Sequence, residues 1–170
     1  MTDRRDSNVG DEHEARRLDE LVGGGRTVAM VMTMIDGAHT SRPVTCVEVG
    51  TGRMSFLVSR EVEWVADIAA GRATVHVTVA DQKDNTYVSL EGTAGVASDV
   101  AEMERLWTPV AKVWFDGPHD PSLAVLHFDV SRGQYWDGPS GSLRQGVNIV
   151  RAMIEGDDAL LGTSGPVSTA

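Results

Sequence analysis

Apolar positions along the chain change period several times, and each change marks an element. Thr27 to Met34 reads TVAMVMTM, a near-continuous apolar, β-branched run of strand length, and the Asp36-Gly37 pair after it is a hairpin signal. Thr40 to Val49 returns as a second strand, and Met54 to Val58 follows Gly50-Thr51-Gly52 as a third. Val62, Val65, Ile68 and Ala69 share one helical face, so Glu61 to Ala70 is predicted as a helix stopped by Gly71. Ala73 to Ala80 then alternates Val75, Val77 and Val79 with Thr74, His76 and Thr78, a half-buried strand.

Thr86 to Ala97 gives a fifth strand. Asp99 and Glu102 have capping-box spacing ahead of a helix through Met103, Leu106 and Trp107, and Pro109 opens a further helical turn. DGPHDP, residues 116 to 121, breaks any regular element, after which Leu123 to Val130 forms a sixth strand and Gln134 to Trp136 extends the sheet. Helices are predicted over Glu12 to Val22, ended by Gly23-Gly24-Gly25, and over Val147 to Ile154. The expected fold is mainly β with helical flanks, an antiparallel barrel of six to seven strands joined in meander fashion. Residues 1–11 read as a disordered tail, 12–157 as the domain and 158–170 as a flexible C-terminal tail.

The composition agrees with one globular domain: 170 residues, 41% of them hydrophobic, suffice for one core. No apolar run reaches the roughly 20 residues of a membrane span, and the N-terminal MTDRRDSNVGDEHEARR lacks a signal-peptide core. A cytoplasmic location and no membrane partner are therefore expected. The formal charge of -10 opposes binding to nucleic acid, which needs clustered Lys and Arg. The single cysteine, Cys46, sits in an apolar strand pattern and reads as a small hydrophobe.

Several chemistries find no footing. Gly23-Gly24-Gly25-Arg26 has neither dinucleotide-binding nor phosphate-loop spacing. His13, His39, His76, His119 and His127 show no i, i+4 pairing, and only His127 and Asp129 share a strand face, so no metal site is expected. No G-x-S-x-G motif supports a hydrolase. Two arginine settings are more informative. In Ser41-Arg42-Pro43 a proline in a strand marks an edge or bulge beside a guanidinium fork suited to an anion. Ser59-Arg60 places a hydroxyl and a guanidinium where the third strand meets a helix, a candidate phosphate cradle; the alternative is a capping Ser59 and a solvated Arg60. Four tryptophans, Trp64, Trp107, Trp114 and Trp136, serve either packing or stacking on a ligand ring.

Glu104 to Gly141, ERLWTPVAKVWFDGPHDPSLAVLHFDVSRGQYWDGPSG, resembles the signature of the general stress protein 26 group of pyridoxamine 5'-phosphate oxidase-like proteins. The resemblance extends through TYVSLEGTA (86–94), VSR (58–60) and SRP (41–43). It implies an FMN-binding split barrel that forms a homodimer, with two flavin sites at the subunit interface. It also implies that Arg42, Ser59 and Arg60 lie near the flavin phosphate and ribityl chain, and Ser41, Pro43 and Val58 beside them join the candidate cofactor-binding set. Trp64, Trp114 and Trp136 complete the candidate cofactor-binding set; no catalytic side chain is assigned. Typical members carry threonine at the place of Val58, lysine at Trp64 and often glutamine at Val47, so three polar contacts are replaced. A deazaflavin, or no cofactor, is then the alternative to FMN. The expected function is a flavin-dependent oxidoreductase; a non-catalytic carrier of a flavin or another planar ligand is the competing reading.

Overall fold

The computed structural model describes residues 16–23, 27–138 and 163–168. Its elements in chain order are β1 (Arg16–Arg17), α1 (Leu18–Val22), β2 (Val28–Ile35), β3 (Ala38–Gly50), β4 (Arg53–Ser59), α2 (Glu63–Ala69), β5 (Thr74–Asp81) and β6 (Thr86–Ala97), then α3 (Val100–Leu106), the 3-10 helix η1 (Pro109–Val113), β7 (Leu123–Asp137) and β8 (Thr163–Ser168). Six strands close a barrel in the order β7-β4-β3-β2-β5-β6, with β6 returning to β7. Every barrel pairing is antiparallel, and β8 and β1 extend the sheet beyond β7.

Local chemistry sets the corners. Asp36 and Gly37 both hold positive φ, 50° and 80°, the requirement of the tight turn that matches strand twist, and join β2 to β3. Inward positions alternate as the sequence pattern predicts: Val75, Val77 and Val79 of β5 are buried, as are Ala29, Val31 and Thr33 of β2. The inner core is built on Met54, Phe56, Leu90, Leu126 and Phe128, with α1 and α2 contributing Leu18, Leu21, Val65 and Ile68. A second core lies outside the barrel, where Met103, Leu106, Ala111 and Phe115 of the α3–η1 segment cover Leu123 and Val125 of β7 and Leu57 of β4. Burial on both faces explains why MSFLV and LAVLHF read as apolar runs interrupted only by Ser55 and His127.

Four sequence expectations change. The helix expected from Glu12 to Val22 has helical backbone only over Leu18–Val22; Arg16 and Arg17 pair with Val167 and Ser168, and 12–15 lie outside the described residues. The tail expected over 158–170 contains β8, because its backbone pairs with β7 from Gln134↔Pro166 to Asp137↔Thr163 and Val167 is buried. Leu123–Val130 and Gln134–Trp136 are one strand, carried past a bulge at Glu91/Gly92 where Ser131 is the extra residue and its hydroxyl donates to the Glu91 carbonyl at 3.0 Å. The second helix starts at Glu63, not Glu61, with Val62 as its N-cap. The helix expected over Val147 to Ile154 lies outside the described residues.

No helix among the described residues is long and apolar enough to cross a membrane.

At the bulge, a Cβ on Gly92 would stand 2.0 Å from the Asp129 carbonyl oxygen. Gly92→Ala is expected to destabilise the fold by about 2–4 kcal/mol in urea unfolding, since backbone must move on the strand that closes the barrel. Cys46 is fully buried, its Sγ lies 3.1 Å from the Glu48 carbonyl, and burial pushes the thiol up to about 11. A raised folded-state value favours folding below the unfolded thiol's pKa, and that contribution is lost as pH rises through about 11. Wild-type stability should therefore fall by about 1 kcal/mol more than that of Cys46→Ala between pH 9 and pH 10. Equal slopes in urea titrations of the two proteins would contradict this.

Candidate functional site

The strands β3 and β4 present their outer faces to a groove that is walled on the far side by the end of η1 and the chain after it. Pro43, Val44 and Thr45 of β3 and Leu57, Val58 and Ser59 of β4 line it, with Glu61, Val62 and Trp64 at one end and Trp114, Phe115 and Ser122 opposite. The cavity holds about 490 Å³, in the range of small-molecule sites. Along β4, Leu57 and Ser59 point outward and Met54 and Phe56 inward, while Val58, part of the inner core, borders the groove near the end of the strand.

The loop 116–121 holds the far wall in place. Asp120 accepts from the Asp116 amide at 2.9 Å, the Ser122 amide at 2.8 Å and the Ser122 hydroxyl at 2.7 Å. These bonds, the Ser122 hydroxyl foremost, hold the Asp120 carboxyl below its usual value. One carboxylate therefore ties the chain after Trp114 and Phe115 to the start of β7. Trp114 itself is 66% exposed, a large apolar face at the groove mouth, and Val113 beside it is 74% exposed.

The sequence-predicted residues divide into two sets. Pro43, Val58, Ser59, Trp64 and Trp114 converge on this groove. Arg42 reaches it through Trp64: its guanidinium lies over the indole, 4.6 Å from the ring centroid, and Nη1 donates to the Thr33 hydroxyl at 3.1 Å. Burial lowers the Arg42 pKa from its ordinary value, yet a guanidinium keeps its proton at neutral pH. Ser41 and Arg60 are exposed and do not line the groove. Arg60 turns to β7, donating from Nη2 to the Leu123 carbonyl at 2.5 Å. Ser59 accepts from the Glu61 amide at 3.3 Å in the turn ahead of α2, whose N-cap is Val62, so it does not cap the helix. Trp136 stands elsewhere, on β7 opposite Tyr87. Sequence reasoning missed Val44, Thr45, Leu57, Glu61, Val62, Phe115 and Ser122, whose only local signal was proximity to the residues it did single out.

A second polar constellation lies under α3. Asp99 caps that helix, accepting from the Glu102 amide at 2.9 Å, as the spacing predicts. The Glu102 carboxylate faces His127 Nε2 at 3.1 Å, while His127 Nδ1 is 3.1 Å from the Ser55 hydroxyl. With the carboxylate accepting from Nε2, a neutral imidazole takes the Ser55 proton donor at Nδ1. Ser55 is only 2% exposed beneath the helix, so this chain ties α3 to β4 and β7 and offers no nucleophile to a substrate. Among the described residues no group of three or more His, Cys, Asp or Glu is placed to hold a metal ion.

Three comparisons bear on this architecture. A solved structure assigned to general stress protein 26 from Jannaschia sp. CCS1 shares 25% identity over 88% of this chain and 94% of its own, with a TM-score of 0.70. A general stress FMN/FAD-binding protein from Xanthomonas citri shares 28% identity over 66% of this chain and 82% of its own, with a TM-score of 0.56. An F420 reductase, 13% identical over 71% and 97%, has the same fold at a TM-score of 0.55. No curated protein matches the chain. The family model described as pyridoxamine 5'-phosphate oxidase-like matches residues 13–159, which hold the barrel, the groove and both tryptophan walls. The chain belongs to the pyridoxamine 5'-phosphate oxidase-like family.

Proposed function

We propose that the groove over β3 and β4 binds the ring of a flavin-type cofactor and that the protein acts as an oxidoreductase with it. The observation that carries this reading is the groove's lining: flat apolar and aromatic surface from Pro43, Leu57, Trp64, Trp114 and Phe115, with the hydroxyls of Thr45, Ser59 and Ser122 interspersed. An isoalloxazine and a deazaflavin share this profile, an apolar tricycle with a hydrogen-bonding edge. The names of two structural neighbours, an FMN/FAD-binding stress protein and an F420 reductase, support the same class of ring. A bound ring of this class would supply the redox chemistry. The chain's own part is to hold it: Trp114 and Trp64 offer stacking surface, the three hydroxyls satisfy polar edges, and Phe115 and Leu57 keep water from the apolar walls.

A homodimer belongs to the proposal. Trp114 at the groove and Val113 and Val110 of η1 are exposed apolar residues, the kind of surface a second subunit covers. The carrier reading, binding without turnover, shares the groove and differs only in whether a reductant is oxidised.

Trp114→Ala is the direct test, because the side chain is exposed and its loss leaves the core intact. Titration of flavin fluorescence is expected to show about tenfold weaker ring binding than in the wild type, the scale of one lost aromatic stack with its buried area. Unchanged affinity would remove the ring from this groove. Light scattering should return twice the 18.2 kDa chain mass; a monomer would sink the dimer.

A further inference from the structure

The groove suits a ring but is poorly suited to a phosphate, because neither of the two arginines that sequence reasoning assigned to an anion lines it. Among its described lining residues there is one ionisable side chain, and it is an acid, Glu61. The Arg42 guanidinium faces the Trp64 indole and the Thr33 hydroxyl. Arg60 is bonded to the Leu123 carbonyl. Lys112 on η1 is exposed but does not line the groove. The nearby loop adds Asp116 and Asp120, the latter held ionised by its hydrogen bonds. A phosphate monoester, with nearly two negative charges at neutral pH, would therefore enter a groove carrying a carboxylate, on a chain of net charge -10. Recruiting Arg42 to it would break the stack on Trp64 and strand the Thr33 hydroxyl, which is fully buried.

We propose that the groove selects the phosphate-free form of its ring ligand, a riboflavin-type tricycle with an uncharged polyol chain, over the phosphate monoester. The selection rests on the flavin reading above. Trp64 and Glu61 act together: the indole holds the Arg42 cation in place, and the carboxylate repels an incoming anion.

Parallel titrations of the full-length protein with riboflavin and with FMN, read by flavin fluorescence, test this. Riboflavin is expected to bind about tenfold or more tightly than FMN at low salt, and added NaCl should improve FMN binding by screening while leaving riboflavin unchanged. Glu61→Lys, at an exposed position, should narrow the gap about fivefold. Arg42→Met removes a cation that does not line the groove, so it should move the ratio by less than Glu61→Lys does. FMN binding as tightly as riboflavin or tighter, or an Arg42→Met loss confined to FMN and larger than the Glu61→Lys shift, would overturn the selection while leaving the flavin groove standing. Failure of both ligands to bind would overturn the flavin reading and this inference with it.

Discussion

The antiparallel pairing of β4 with β7 is the constraint on which the rest of the structure depends. Its register, from Arg53↔Asp129 to Ser59↔Leu123, decides at once which residues fill the barrel and which form its outer wall. A slip of one residue would turn Met54, Phe56, Leu126 and Phe128 out of the core and bring Ser55 and His127 into it. Both faces are buried, one by the barrel and one by α3 and η1, so the register is specified twice. Its polar ends agree: Arg53 pairs with Asp129 at 2.6 Å across the strands, and Arg60 donates to the Leu123 carbonyl at the other end.

That pairing also places the groove. Leu57 and Ser59 form its floor because they alternate with the core residues of β4. Trp114, Phe115 and Ser122 form its wall because η1 packs on the same outer face through Ala111 and Phe115. Trp64 arrives from α2, whose Val65 and Ile68 are anchored in the inner core. A ligand ring in this groove would thus touch side chains fixed by two separate cores, which is how a rigid scaffold preorganises a binding surface.

Much of this was legible in sequence because its causes are local. The alternation of β5, the Asp36-Gly37 turn, the Asp99 cap and the breaker loop around Pro118 and Pro121 each depend on residues within a few positions. What was not legible depends on distant partners. TSGPVS carries no alternation, yet becomes β8 because β7 offers an edge that pairs with it from Gln134↔Pro166 to Asp137↔Thr163, and Val167 finds the core. Arg42 and Arg60 were recognisable as guanidinium forks, but their partners, Trp64 and the Leu123 carbonyl, are brought by other elements, and those partners decide whether the charge is free for an anion. Trp136 has the same residue type as Trp114 and a different place, since strand pairing sets it opposite Tyr87.

The central claim is that a flavin-type ring occupies the groove over β3 and β4. A crystal structure of the protein grown with riboflavin tests it most directly. The account predicts ring density in contact with Trp64 and Trp114, with the Arg42 guanidinium still lying over the Trp64 indole. Ring density at any other surface, with this groove filled only by solvent, would contradict it.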